Sequence, residues 1–543
     1  MPASFTYPGV YVEELPSGVH PIAGVATSNT AFVDYFSQGP VNQPVNVTSY
    51  ADFTRQFGGL NSLSEASYAV QQFFLNGGTS AWIVRITDAG QPTASPAVAG
   101  SPAAAAKLSL SDSGSTDVLD VTAFSPGVWG DEIQVAVDQQ QPAGATTETF
   151  NLVVRQATGS AGSYQVLASE VYRNLSLDST SPSFAPNAIN GISSLITVSI
   201  PSSVSGTDLP AVATGFAGQS VSDPTIISSP SIGPFTPLAG GGDGGTPQAS
   251  DFEAGIQALD QIAPFIFNLL CLPGALKLDA ADCAQVYGAA VTYCQSKRAY
   301  LLVDIPQNVQ SASAMVALLT GSGSALPAPS SAAGVYFPRL TIPDPLANNA
   351  LRDVGASGTI AGVIARIDAN RGVWKAAAGT EASILGANLV TKLNDADNGS
   401  LNVLGVNVLR SFPVYGSVVW GARTMLGADQ QASEWKYAAV RRTADYIEES
   451  LVEGLKWVVF EPNDASLWAQ IRLNVGSFMN GLFRQGAFAG VSPTDAYLVK
   501  CDSDTTTQAD IDNGIVNIVV GFTPVEPAEF VVLQIEQLAG QSS

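Results

Sequence analysis

Apolar and polar positions alternate with period two near both ends of this chain. In YPGVYVEELPSG, Val10 and Val12 alternate with Tyr11 and Glu13, with Tyr7-Pro8-Gly9 in front and Leu15-Pro16-Ser17-Gly18 behind. That pattern between turn residues predicts a strand. In EFVVLQIEQL, Val531, Leu533 and Ile535 oppose Gln534 and Glu536, which predicts another. A lone strand leaves its backbone donors and acceptors unmet. Each end therefore needs a sheet to join.

Between the ends the period changes region by region. Residues 21–88 alternate strand and helix signals. TSNTAFVDYF reads as a strand with Ala31 and Val33 opposed to Phe32, and SAWIVRI as a buried strand. Ser49 and Ser64 stand where N-caps of two helices belong, and Gly58-Gly59 and Asn76-Gly77-Gly78 where those helices stop. Residues 89–245 are rich in Ala, Ser, Thr, Gly and Pro, with short alternating runs such as DEIQVAVD, TFNLVVRQ and SLITVSI. They predict a small all-β domain inserted between two linkers. From 246 to 410 apolar strands alternate with helices, which predicts a largely parallel sheet covered on both faces. One of these helices carries Ile360, Val363, Ile364 and Ile367 on one side. From 411 to 522 two long helices precede strands. The first has Ser433 as its expected N-cap, a stripe of Trp435, Ala439, Tyr446, Ile447 and Leu451, and an Arg441–Asp445 pair at i,i+4. The stripe of the second, Trp468, Ile471, Val475, Phe478, Met479 and Leu482, reads as core.

Composition narrows the function classes. The chain has 543 residues, 46% hydrophobic and 13% charged, enough for large cores and several domains. Lys and Arg total 23 against 46 Asp and Glu, a net charge of −23, which as a whole repels nucleic acid and anionic membranes. Positive charge gathers late, between Arg423 and Lys500. Cys271, Cys283, Cys294 and Cys501 fit no zinc spacing and are too few for a disulfide framework. No export signal and no membrane-length apolar run is read, so folding in the cytoplasm is expected.

Candidate chemistry is sparse. The single histidine, His20, sits in GVHPI on an expected flexible arm, a poor place for the oriented imidazole of a hydrolase triad. GGGDGG, Gly240 to Gly245, lacks the Lys-Ser/Thr of a phosphate loop and reads as a linker. DADNGS and CDSDTTTQADIDNG keep neither the ligand spacing nor the closing Glu of a calcium loop. With no catalytic constellation, no metal and no cofactor in view, an assembly protein is expected rather than an enzyme. A subtilisin-like hydrolase and an array-forming surface protein are the alternatives.

The order of segments resembles the tail sheath proteins of contractile phage tails and contractile injection systems. The resemblance is carried by YPGVYVEELPSGVHPIAGVATSNTAFV, FTRQFGG, AVQQFFLNGGTSAWIVRI, GVYFPRLTIPDP, SGTIAGVIARIDANRGVWKAAAG, LNVLGVNVLRSFPVYGSVVWGARTM, RRTADYIEESLVEGLKWVVFEPND, LWAQIRLNVGSFMNGLFRQGAF and GFTPVEPAEFVVLQIEQLAG. It implies an α/β and α+β multidomain fold. Residues 1–20 would be an N-terminal arm, 21–88 with 246–410 a subtilisin-like α/β core, and 89–245 an inserted all-β outer domain. Residues 411–522 would be an α+β C-terminal domain, and 523–543 a C-terminal strand or arm. It implies that Tyr7, Val10, Tyr11, Val12 and Glu13 at one end, and Val531, Leu533 and Ile535 at the other, pair with neighbouring subunits. The implied partners are further copies in stacked hexameric rings, an inner tube protein, and baseplate and cap proteins, with no nucleic acid and no membrane insertion. Lys436, Arg441, Arg442, Arg472 and Arg484 are the candidate tube-facing cations.

Overall fold

A computed structural model describes residues 20–89, 102–141, 149–160, 162–202, 204, 208–262, 267–321 and 323–534. The chain divides into two compact units. One comprises Ser28–Arg366 and Ala377–Lys436; the other comprises Met1–Thr27, Ile367–Ala376 and Tyr437–Ser543.

The larger unit is built on an eight-stranded sheet. The Thr30–Asp34 strand pairs in parallel with Ala81–Arg85 on one side and Leu269–Cys271 on the other. From Leu269–Cys271 the sheet continues in parallel through Tyr300–Val303, Ala333–Phe337 and Asn407–Phe412. Val45–Val47 and Gly416–Val419 close the two edges antiparallel. Alternation decides which face each side chain serves. Ala31 and Val33 enter a core with Phe252 and Ile256. Phe32 points the other way and meets Phe73 edge-on, ring centroids 5.7 Å apart. Burying each such aromatic contributes about 1.5–3 kcal/mol. Phe73 belongs to the Glu65–Leu75 helix, whose N-terminus is capped by Ser64 as the sequence predicts; Ser49 likewise caps Tyr50–Phe57.

The stretch read as an inserted β domain forms two antiparallel sheets within this unit. One holds Lys107–Ser111, Asp117–Ala123 and Ile196–Ser199. The other holds Thr236–Pro237, Ile133–Asp138, Phe150–Thr158 and Gln165–Leu175. Val121, Ile133, Leu152, Val154 and Ile196 share one core. Arg155, one of its few cations, is buried and donates to the carbonyls of Ile227, Ser229 and Ser231.

The smaller unit contains the helices Ala438–Gly454 and Ala465–Arg484 and a two-stranded antiparallel sheet, Tyr497–Lys500 with Val519–Phe522. The stripe from Trp468 to Leu482 is core, as its spacing predicts. Two local expectations change. The first helix starts at Ala438, not after Ser433; the Ser433 hydroxyl instead accepts from Trp435 N in a turn. The sequence suggested a domain boundary at 410, but Gly416–Val419 pairs antiparallel with Asn407–Phe412, so 411–436 stays with the large sheet.

Candidate assembly surfaces

The smaller unit is organised around a strap of its own N-terminal residues. His20 N donates to Asn474 Oδ1 at 3.2 Å, and the His20 ring stacks on Trp457 with centroids 4.3 Å apart. Val25 N donates to Ser450 Oγ, and the Thr27 carbonyl accepts from Arg442. Gly24 and Gly454 permit this closeness. A Cβ on Gly24 would sit 1.9 Å from the Tyr446 hydroxyl, and one on Gly454 2.7 Å from Ile22. The only histidine is thus held against an indole and not carried on a loose arm.

Two features of this unit lack partners among the described residues. The Tyr497–Lys500 and Val519–Phe522 pair has no third strand among the described residues. Leu498 and Val519 on it are exposed. Beyond the bridge between Phe488 and Pro524 the chain forms no strand through Gln534. Phe530, Val531, Val532 and Leu533 there are 77–82% exposed. Val531 and Leu533 are expected in a strand; they have the pattern of one, but among the described residues no strand lies beside them to complete its ladder. Ile535 lies outside the described residues, as do Tyr7, Val10, Tyr11, Val12 and Glu13.

The five late cations differ in their availability. Arg442 is buried and forms a two-pronged ion pair with Asp368, at 2.5 and 3.1 Å. Its charge is matched inside the unit. The sequence could not reveal this, because Asp368 is 74 residues away. Arg441 holds Asp445 at 2.7 Å and Glu448 at 2.8 Å. Burial pushes the Asp445 carboxyl up to about 6, with the neighbouring Arg441 pulling it back down. Lys436 pairs with Asp429 at 2.9 Å, and Arg472 donates to the carbonyl of Cys501. Arg484, in the last turn of its helix, is exposed.

The acidic turns read against calcium loops cap helices. Asn394 and Asp397 form a capping box on Asp395–Asn402, and Thr507 and Asp510 form one on Gln508–Asp512. Among the described residues no group of His, Cys, Asp or Glu is placed to hold a metal. All four cysteines are buried free thiols.

Residues 430–537, which hold the hairpin, all five cations and most of the tail, match the phage tail sheath C-terminal domain. A major tail sheath protein assigned to a Pseudomonas aeruginosa prophage is 29% identical over 186 residues, 34% of this chain and 46% of that protein. The chain thus aligns to about half the length of that relative. The anti-feeding prophage helical sheath in its contracted state is similar over 98% of this chain and all (100%) of that one, with a TM-score of 0.55 at 21% identity. A sheath tail protein of Listeria innocua is similar over 93% of this chain and 96% of its own, with a TM-score of 0.58 at 13% identity. The chain therefore has the mixed α/β multidomain fold of contractile sheath proteins, and its residues 430–537 are similar to a phage tail sheath C-terminal domain.

Proposed function

We propose that this protein is the sheath subunit of a contractile tail or injection system, with a structural and not an enzymatic role. Copies assemble helically, as stacked hexameric rings, around an inner tube and on a baseplate, and are closed by a cap protein. Assembly takes place in the cytoplasm. On triggering, the subunits move into a contracted lattice and the tube is driven through a target envelope. The central parallel sheet, with helices on both faces, supports a subtilisin-like origin for the core without its chemistry.

One observation carries the reading. Within a unit that matches a sheath domain, a two-stranded sheet with no third strand among the described residues and an exposed strand-patterned tail occur together. Unpaired sheet edges recruit strands from other chains, through main-chain hydrogen bonds with alternate side chains setting register. Tails exchanged between copies would link subunits while leaving each unit rigid. Two lattices differing by only a few kcal/mol per subunit would then store a large total, because packed interfaces are bistable.

The test is negative-stain electron microscopy of the full chain beside versions lacking residues 1–18 or 523–543. Regular tubes from the full chain, lost in both truncations, are expected. Monomers in all three samples would overturn the reading.

A further inference from the structure

A cavity of about 240 Å³ lies at the carboxyl ends of two neighbouring strands of the large sheet. Asp34, which ends Thr30–Asp34, lines it, and so does Gly274, just beyond Leu269–Cys271. The chain visits Ala81–Arg85, on the far side of the first strand, before it returns to the second. The strand order therefore reverses between the two, and in open α/β sheets ligands are bound at such a point. Gly274 lets the two strand ends close up: a Cβ there would sit 2.1 Å from Asp34 Oδ1. One wall is Gly244, Gly245 and Thr246, the end of the segment whose sequence reads as a linker. Gly244 has a φ of 77°, which favours glycine. None of the three backbone N–H groups has an acceptor among the described residues. Successive free N–H groups on such a turn make an anion-binding concavity. Lys277 also lines the cavity and is exposed. Its ammonium donates to the Leu63 carbonyl, and no carboxylate pairs with it among the described residues. Pro247 and Phe252 add apolar surface.

We propose that this cavity binds a small organic anion. Its head, a carboxylate or a phosphate, lies between Lys277 Nζ and the N–H groups of Gly244 to Thr246, and a short apolar body packs on Pro247 and Phe252. The inference goes beyond the sheath reading and does not rest on it. The two acids of the lining leave room for the head. Asp243 Oδ1 accepts from Val128 N at 3.0 Å, and burial together with the Asp243 charge keeps the neighbouring Tyr35 phenol protonated. Asp34 is 3% exposed and both its oxygens accept main-chain N–H groups, so it acts on the ligand through its charge and not by contact. Burial pushes its carboxyl up to about 7, against the pull of Lys277 and the two backbone donors, and Glu65 adds to the rise. Below that pH a neutral Asp34 leaves the Lys277 charge to the anion. Above it the Asp34 carboxylate repels the anion.

Equilibrium dialysis of the full chain tests this, and it reads binding whether or not the chain has assembled. The probes are labelled butyrate, phenyl phosphate and butylamine. At pH 6, saturable binding of at least one of the two anions at a single site per chain is expected, with none of butylamine. The anion that binds more tightly tells a carboxylate head from a phosphate. Lys277→Met should weaken binding at least tenfold with the melting temperature nearly unchanged, and Lys277→Arg should keep most of it. For butyrate, which stays ionised throughout, affinity should fall about tenfold from pH 6 to pH 8.5. Asp34→Asn should remove that fall. Binding of neither anion, or of butylamine in their place, would overturn the proposal. Undiminished binding in Lys277→Met would overturn this cavity as the site. A fall with pH that survives in Asp34→Asn would overturn the role given to Asp34. Tubes are read separately by microscopy, so none of these failures touches the sheath reading.

Discussion

Asp34 ends the Thr30–Asp34 strand of the large sheet and is almost fully buried. Its Oδ1 accepts from Tyr35 N at 2.7 Å, and its Oδ2 from Ala66 N at 3.0 Å, in the first turn of the Glu65–Leu75 helix. Burial pushes its carboxyl up to about 7; the two backbone donors and Lys277 pull it down, and Glu65 adds to the rise. Tyr35 and Asp243 line the same cavity. Because the folded value lies above the unfolded one of about 4, the folded state binds the proton more tightly between the two. This group's contribution is therefore greatest below about pH 4 and is lost as pH rises through about 7. Asp34→Asn keeps the size but replaces one acceptor by a donor, which should cost about 1–3 kcal/mol at pH 5. The gap between parent and variant in urea denaturation should narrow from pH 5 to pH 8.5. A constant gap would mean that Asp34 does not titrate in the folded protein. Nothing in AFVDYF marks this aspartate as buried: the alternation places Ala31 and Val33 correctly, but it carries no signal that a carboxylate at the end of the strand is taken out of water.

The element scale shows where sequence periodicity succeeds and where it stops. Ile360, Val363 and Ile364 are all buried, as their spacing on the Ser357–Arg371 helix implies. The spacing does not name the partner. Gly358 and Gly362 of that helix lie against the Glu65–Leu75 helix: a Cβ on Gly358 would be 2.3 Å from the Ala69 carbonyl oxygen, and one on Gly362 2.4 Å from that of Phe73. Gly to Ala in a helix interior ordinarily stabilises by about 0.5–1 kcal/mol. Gly288→Ala, where nothing lies within 4 Å, should follow that rule. Gly362→Ala should reverse it, because backbone must move, and should cost about 1–3 kcal/mol. Thermal unfolding of the two variants checks the opposite signs. For the same reason the C-terminal tail is only half legible. Alternation in EFVVLQIEQL encodes a capacity to pair, but whether the partner strand belongs to the same chain or to another is not written in the period. Edge strands are similarly opaque. Gly416–Val419 joins the large sheet by pairing with Asn407–Phe412 just before it, a hairpin that sequence reading passed over in favour of the long helices beyond.

At the scale of the whole molecule, composition changes at both ends of the stretch that holds the two antiparallel sheets. Their core of Val121, Ile133, Leu152, Val154 and Ile196 is their own. The chain also leaves and re-enters the large sheet at nearly one point: Ala89 N lies 3.4 Å from Asp251 Oδ1. A few Gly and Ser residues in place of residues 90–247 should close the gap. The main joint is the buried Arg85, which donates to the Phe36 and Gly39 carbonyls at 2.7 and 2.8 Å on the sheet side. On the inserted side it donates to Ser125 Oγ at 3.1 Å and to the Pro126 carbonyl at 2.7 Å. Deletion removes the second pair but also opens Arg85 to water, which replaces those acceptors and avoids the cost of a buried unpaired charge. The shortened chain should therefore unfold cooperatively, with its melting temperature lowered by a few degrees, as a loss of about 1 kcal/mol produces in a large domain. If the insertion faces outward in the sheath, as the proposed function has it, the shortened chain should still form tubes, and electron microscopy should show them thinner. Tubes of unchanged diameter would place the insertion elsewhere, and a chain that does not fold would show that the β sheets are part of the core and not an addition to it.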